Sequence, residues 1–277
     1  MERKNFAVLC AAVLCFWLFA LALGTAEGVG LRAVMHPEER AVSADIEETA
    51  EGILLPTAAA APQLDLNCRA AILIEQGSGR VLYEKNADER VPIASITKVM
   101  TLLLAFEAVH DGRLTMETPV PVSEHAYHMG GSQIWLEPGE HFTLDEMIKA
   151  ICVSSANDAA VAVAELVGGS ESAFVEQMNQ RAQELGCQNT HFANTTGLTQ
   201  SGHYSSAWDI YLITREAMKH DDFMTIVNTK AYTVPATNMT DTERELHSTN
   251  ALISNWRMTG YLYSGAQGIK TGTTDAA

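Results

Sequence analysis

Basic side chains are scarce in this sequence. Lys and Arg number 18 against 34 Asp and Glu, for a formal charge of −16 over 277 residues. Nucleic acid is thereby excluded as a partner, because its phosphates are held by clustered Lys and Arg. Cysteine is scarce as well. Of the five in the chain, Cys10 and Cys15 fall in an apolar N-terminal run, which leaves Cys68, Cys152 and Cys187 scattered. Three scattered cysteines build no disulfide framework, and the absence of a CxxC pair removes the usual thiolate metal site. Each is expected to be a small buried residue. The nine histidines do not make up for this lack. His125 and His128 are spaced for one helix face, but no carboxylate or third histidine completes a ligand set. There is no internal repeat. Neither a metal nor a cofactor is called for.

What is present begins with an address. Met1-Glu2-Arg3-Lys4-Asn5 precedes an apolar run over residues 6–23, and the small residues Gly24-Thr25-Ala26 follow. A basic n-region, an apolar h-region and a small-x-small site read as a secretory signal peptide over residues 1–26, cleaved after Ala26. The run is about eighteen residues, close to the least that spans a bilayer, so an uncleaved membrane anchor is the alternative. Both readings export the rest of the chain. Residues 27–67 show no sustained periodicity, gather acid at Asp45-Ile46-Glu47-Glu48 and turn Ala/Pro-rich over 55–62. They read as a disordered linker. Order begins near Cys68, and residues 68–277 read as the folded domain.

That domain opens with two strands, around residues 70–75 and 80–84, joined by Gln76-Gly77-Ser78-Gly79, a hairpin signal. A broadly apolar helix follows from about Ser95 and stops at Asp111-Gly112. Residues 119–122 are a short extended piece. Thr143 caps the next helix, with Glu146 at the capping-box position. Further helices run from Asp158 to a Gly168-Gly169 stop, from a Ser170 cap to Gly186, and from a Ser206 cap through Met218. Residues 230–234 are extended, and residues 265–272 read as one late strand. Strands at both ends with helices between them predict an α/β (α+β) layered domain, a helical middle packed on an antiparallel sheet.

Three short motifs carry the chemistry. Ser95-Ile96-Thr97-Lys98 places a serine and a lysine three residues apart at a helix start, on one face. A serine hydroxyl becomes a nucleophile when a base takes its proton, and a lysine is that base if burial or nearby positive charge lowers its pKa. Helix-start N–H groups can serve an oxyanion. Alone, the pattern is as well explained by a helix cap and a surface lysine. Ser155-Ala156-Asn157 lies between two helices. Its hydroxyl can pass a proton and its amide can both donate to and accept from a peptide bond. Lys270-Thr271-Gly272 adds a charge, a hydroxyl and a residue that lets backbone approach a ligand closely. Order and context make the three specific together: SxxK, then SxN, then KTG.

With these motifs, residues 70–98, Met129-Gly130-Gly131-Ser132, residues 153–160 and residues 189–198, the chain resembles the D-alanyl-D-alanine carboxypeptidases, low-molecular-mass penicillin-binding proteins of the S11 peptidase type. The resemblance runs from about Cys68 to the end of the sequence. It implies removal of the terminal D-alanine from peptidoglycan stem pentapeptides, outside the cytoplasmic membrane, with β-lactams as inhibitors. It implies that Ser95 is acylated, Lys98 takes its proton and Ser155 relays a proton to the departing D-alanine. Asn157 would hold the stem peptide, Lys270 would support the relay and the substrate carboxylate, and Thr271 would bind that carboxylate. Gly272 belongs to the same binding strand. The N–H groups of Ser95 and Thr273 would form the oxyanion hole.

The chain departs from this pattern in places. Many relatives have glycine at Ala156 and histidine at Thr273. The methyl group is expected to be tolerated, and a backbone donor survives at 273. Relatives continue past the Lys-Thr-Gly strand with two strands and a helix, then usually a β domain and a membrane-binding amphipathic helix. The expectation is therefore a sequence truncated at its C-terminus, poorly stable and nearly inactive as written, with its membrane-surface anchor missing. Rival readings are a β-lactamase, a transpeptidase or endopeptidase, and a catalytically dead peptidoglycan binder. A β-lactamase of this fold carries a Glu-x-x-Leu-Asn segment, absent here. Intact Ser95, Lys98, Ser155 and Lys270 speak against the dead binder.

Overall fold

The computed structural model describes residues 64–277. The expected signal peptide (1–26) and nearly all of the expected linker (27–67) lie outside the described residues. The described chain divides after Asn86 into two compact units.

The described residues of the first unit, 64–86, hold a hairpin. β1 (Ala71–Ile74) pairs antiparallel with β2 (Val81–Lys85), Ala71 opposite Lys85 and Leu73 opposite Tyr83. Its turn is organised by Glu75, whose carboxylate accepts the N–H groups of Gly77 (2.8 Å) and Ser78 (2.7 Å) and the Ser78 hydroxyl. The Ser78 hydrogen bonds hold that carboxyl below its usual range. Gly79 supplies the positive φ (73°) that closes the turn.

The second unit, Ala87–Ala277, is mainly helical. A 3₁₀ turn (Ala94–Thr97) leads into α1 (Lys98–His110), in which ten of thirteen residues are buried. An apolar surface this broad leaves no solvent face, so α1 is enclosed by its neighbours. It packs against α4 (Asn157–Gly168), α5 (Glu171–Glu184) and α6 (Ala207–Ala217). α4 fits among them because Ala159, Ala160, Ala162 and Ala164 are small and fully enclosed. It stops at Gly169, whose φ of 80° turns the chain left-handed. Gly168 is equally constrained: a Cβ there would come within 2.7 Å of the Phe174 Cβ.

Between α1 and α4 lie β3 (Pro119–Val120), α2 (Glu124–Tyr127), β4 (Phe142–Thr143) and α3 (Leu144–Val153), with β3 pairing antiparallel to β4. α3 starts at a full capping box. The Glu146 N–H donates to Thr143 Oγ1 (3.3 Å), and the Glu146 carboxylate accepts from the Thr143 N–H (2.7 Å). Ser170 and Ser206 cap α5 and α6 as their positions predict. After α6 come α7 (Asp221–Val227) and a second hairpin, β5 (Ala231–Val234) with β6 (Arg244–His247).

The five longer helices, α1 and α3 to α6, and both early strands follow the sequence reading, and the fold is the expected α/β mixture. Three readings need correction. Residues 265–272 form no strand. The described residues hold three separate two-stranded sheets, and none includes this segment, so it has no ladder partner. It is anchored by side chains instead, with Asn250 Nδ2 donating to the Gly268 carbonyl at 2.8 Å. Of the three cysteines only Cys152 is buried; Cys68 and Cys187 are half-buried. Finally, the sequence reading lacks α2, β4, α7 and β6, of which α2 and β4 are too short to leave a periodic signal.

The capping box generates a prediction. Thr143→Ala removes one cap acceptor while α3 stays buried, so it should cost about 1 kcal/mol, or roughly 2–4 °C in thermal midpoint. Calorimetry measures this, and an unchanged midpoint would contradict the assignment.

Candidate active site

Ser95 sits inside the 3₁₀ turn and Lys98 is the first residue of α1. In a 3₁₀ turn, positions i and i+3 eclipse, which brings the two side chains together without outside help. Lys98 Nζ lies 2.9 Å from Ser95 Oγ. The turn is strained at its entry, where Ala94 has φ 45°. It makes no side-chain capping bond of its own.

Lys98 is fully buried. Its Nζ donates to Asn157 Oδ1 (2.6 Å) and to the Thr196 carbonyl (2.8 Å), besides its contact with Ser95. Burial pushes its pKa well below the ordinary lysine value, and the positive charge of Lys270 pushes the same way; Asp158 opposes them. The amine is thereby poised to lose its proton.

Asn157 opens α4. Its amide Nδ2 donates to the Gly130 carbonyl (2.6 Å) and its backbone N–H to the Ser132 carbonyl (2.7 Å). Next to it, the buried Asp158 carboxylate accepts the N–H groups of Ile134 (3.0 Å), Leu136 (3.2 Å) and Ala159 (2.9 Å). Burial raises the Asp158 pKa, while these N–H groups pull it down. Asn157 and Asp158 together hold the 130–136 loop, which carries Trp135 at φ 61° and 72 % exposed.

Ser155 is buried in the connection between α3 and α4, itself at φ 63°. Lys270 Nζ donates to Ser155 Oγ (2.9 Å) and to the Thr271 carbonyl (2.9 Å). Although Lys270 is partly exposed, its surroundings push its pKa down to about 8, chiefly by burial. Thr271 Oγ1 meets Thr249 Oγ1 at 2.6 Å. Gly272 packs against the turn that carries Ser95: a Cβ there would stand 2.8 Å from the Ile93 carbonyl oxygen and 3.2 Å from the Ala94 Cβ. Thr273 follows it, exposed. Ala156 has φ −58° and needs no glycine freedom.

Two SxxK–SxN–KTG linkages are therefore direct contacts, Lys98 with Asn157 and Ser155 with Lys270. The sequence reading missed Thr196, whose carbonyl is Lys98's third partner, and Gly197 beside it. Asn194 shapes that turn, its Oδ1 accepting from the N–H groups of Thr196 (3.2 Å) and Gly197 (2.8 Å). The Asn-Thr-Thr-Gly string was the available signal, an Asx turn feeding a glycine.

The profile of the peptidase S11 family, described as D-alanyl-D-alanine carboxypeptidase, matches residues 56–277. The chain is 46 % identical over 215 residues to the D-alanyl-D-alanine carboxypeptidase DacF of Bacillus subtilis, covering 78 % of this chain and 53 % of that protein. The chain spans about half the length of the first curated relatives it matches. Among solved structures, the D-alanyl-D-alanine carboxypeptidase DacD of Francisella tularensis aligns with a TM-score of 0.72 at 25 % identity, over 83 % of this chain and 65 % of that one. A variant of the Streptomyces K15 DD-transpeptidase aligns with a TM-score of 0.68 at 31 % identity, over 76 % of this chain and 82 % of that one.

Gly197 provides a test of the packing under the turn that carries Ser95. Gly197 and Gly186 have nearly equal φ, 86° and 84°, but a Cβ at 197 would lie 1.8 Å from the Ala94 carbonyl oxygen and one at 186 would meet nothing within 4 Å. Gly186→Ala should cost about 1 kcal/mol of backbone strain, whereas Gly197→Ala should cost roughly 3 kcal/mol or more. Urea unfolding of both variants decides this, and equal losses would contradict the close contact.

Proposed function

The chain belongs to the D-alanyl-D-alanine carboxypeptidase family of S11 peptidases, and from that premise we propose that it removes the terminal D-alanine of peptidoglycan stem peptides through an acyl-enzyme on Ser95. The observation that supports this most is the fully buried Lys98 amine 2.9 Å from Ser95 Oγ.

A neutral amine has two N–H groups and one lone pair. With Lys98 deprotonated, its N–H groups go to Asn157 Oδ1 and the Thr196 carbonyl, both fixed in place. The lone pair is then left for the Ser95 hydroxyl. Lys98 takes the hydroxyl proton as Oγ bonds the carbonyl carbon of the D-Ala-D-Ala linkage. The resulting oxyanion is held by the N–H groups of Ser95 and Thr273, donors of a kind worth a few kcal/mol each, about 3 by mutagenesis elsewhere. The carbon–nitrogen bond breaks as Ser155 passes its proton to the leaving amine and takes in its place the proton that Lys98 gained, which returns both residues to their starting state. Lys270, bonded to Ser155, keeps positive charge beside that transfer. Thr271 and Lys270 receive the substrate's terminal carboxylate, Gly272 lets the peptide lie close, and Asn157 holds the stem. Water then hydrolyses the ester. A β-lactam acylates Ser95 by the same attack.

The reading places the enzyme on the extracytoplasmic side of the membrane, where the stem peptide is. Attachment to the membrane surface belongs to the same reading and rests on the family resemblance alone. Transfer of the acyl group to an amine rather than water is a second reading, favoured by the likeness to the Streptomyces K15 DD-transpeptidase.

Two outcomes are expected. Ser95→Ala abolishes labelling by a fluorescent penicillin and D-alanine release from a stem pentapeptide, with folding unchanged; persistent labelling would contradict the nucleophile. Acylation should rise with pH as Lys98 loses its proton and decline near 8 as Lys270 loses its charge. Lys270→Gln removes a positive charge that favours neutral Lys98, so Lys98 holds its proton longer. The acid limb should move to higher pH. A limb that stays or moves lower would refute the coupling.

A further inference from the structure

Ala94's strained backbone and the uncapped 3₁₀ turn raise the question of what holds Ser95 in place. The answer lies in a segment that none of the three motifs contains. Residues 203–205 grip the nucleophile's turn from both sides. Upstream, Val91 and Ser205 exchange backbone hydrogen bonds, Val91 N–H to the Ser205 carbonyl (2.8 Å) and Ser205 N–H to the Val91 carbonyl (3.1 Å). Downstream, His203 Nε2 meets Thr97 Oγ1 at 2.7 Å. Thr97 lies between Ser95 and Lys98 and is fully buried.

The other ring nitrogen is committed as well. Ala193 N–H donates to His203 Nδ1 (3.1 Å). An acceptor at Nδ1 requires a neutral ring with its proton on Nε2, so His203 donates to the Thr97 hydroxyl. Burial agrees with this, pushing the His203 pKa down to about 4. Ala193 begins the 193–197 turn. That turn delivers the Thr196 carbonyl to Lys98 and sets Gly197 under Ala94. One imidazole thus joins the turn that carries the nucleophile to the turn that orients the base.

We propose that His203 is a positioning residue for acylation, fixing Thr97 and the 193–197 turn so that Ser95 Oγ meets the lone pair of Lys98. It touches no substrate. The inference rests on Ser95 being the acylated residue, which labelling of Ser95→Ala beside wild type tests separately in the same experiment.

The test separates the two bonds. Asparagine retains an acceptor at the δ position and loses the donor to Thr97. Glutamine retains a donor at the ε position. Thr97→Val removes the hydroxyl itself. For each variant, titration with a fluorescent penicillin gives the labelled fraction, and saturation kinetics separate the binding constant from the acylation rate constant. We expect His203→Asn and Thr97→Val to lower the acylation rate constant about tenfold or more with the binding constant unchanged, since small displacements of reacting groups cost rates of this order. His203→Gln should restore most of the rate, and the His203→Asn/Thr97→Val double variant should be no slower than either single one. A purely structural role would lower the labelled fraction and the melting temperature while the labelled molecules react at the wild-type rate, and that result would overturn the proposal. So would wild-type acylation in Thr97→Val, or losses that multiply in the double variant. Labelling that persists in Ser95→Ala would instead count against Ser95 as the nucleophile.

Discussion

A lysine amine with no exposure to water governs this structure. An ammonium stripped of water is costly unless every proton finds a partner. Lys98 has three partners, each from a different part of the chain: the 3₁₀ turn through Ser95, the start of α4 through Asn157, and the 193–197 turn through Thr196. Those three segments must meet at one nitrogen. The nearly all-buried α1, the alanine-rich α4 and the glycine at 197 make that meeting sterically possible. Burial and the Lys270 charge then favour the neutral amine. The same desolvation that endangers stability favours the unprotonated amine.

The local backbone bears the cost of this arrangement. Ala94, Ser155 and Trp135 all take positive φ although none is glycine. Such conformations persist only where the surroundings over-determine them. Around Ala94 those surroundings are Gly197, Gly272, the Val91–Ser205 bridge and the His203–Thr97 bond. Around Trp135 they are the N–H bonds to Asp158, with Arg244 Nη2 reaching the Trp135 carbonyl (3.4 Å). Strain is concentrated at the candidate site, while the capped helices behind it are conventional. In this chain the scaffold brings Ser95, Lys98 and Asn157 together, and Ser155 with Lys270.

Much of this was legible in the sequence. The helix caps at Thr143, Ser170 and Ser206 are local chemistry, and all three form. Ser95 and Lys98 are spaced by one turn, so their contact needs no knowledge of the fold. The partners that come from afar were not legible. Thr196 acts through its carbonyl, which no side-chain motif reports. His203 looks like any histidine until burial and two hydrogen bonds fix its tautomer. Residues 265–272 have a strand's composition, but strand pairing is a property of neighbours, and no neighbour is present among the described residues. Gly272 is placed by its close contact with the turn that carries Ser95 and not by a sheet.

The central claim is that Lys98 is neutral when Ser95 is free to react. It is tested most directly by titrating the protein with ¹⁵N-labelled lysine by NMR, the Lys98 side-chain resonance being assigned by its loss in Lys98→Met. The account predicts an inflection for Lys98 well below 10.5. A Lys98 that keeps its proton up to the ordinary lysine range would contradict it.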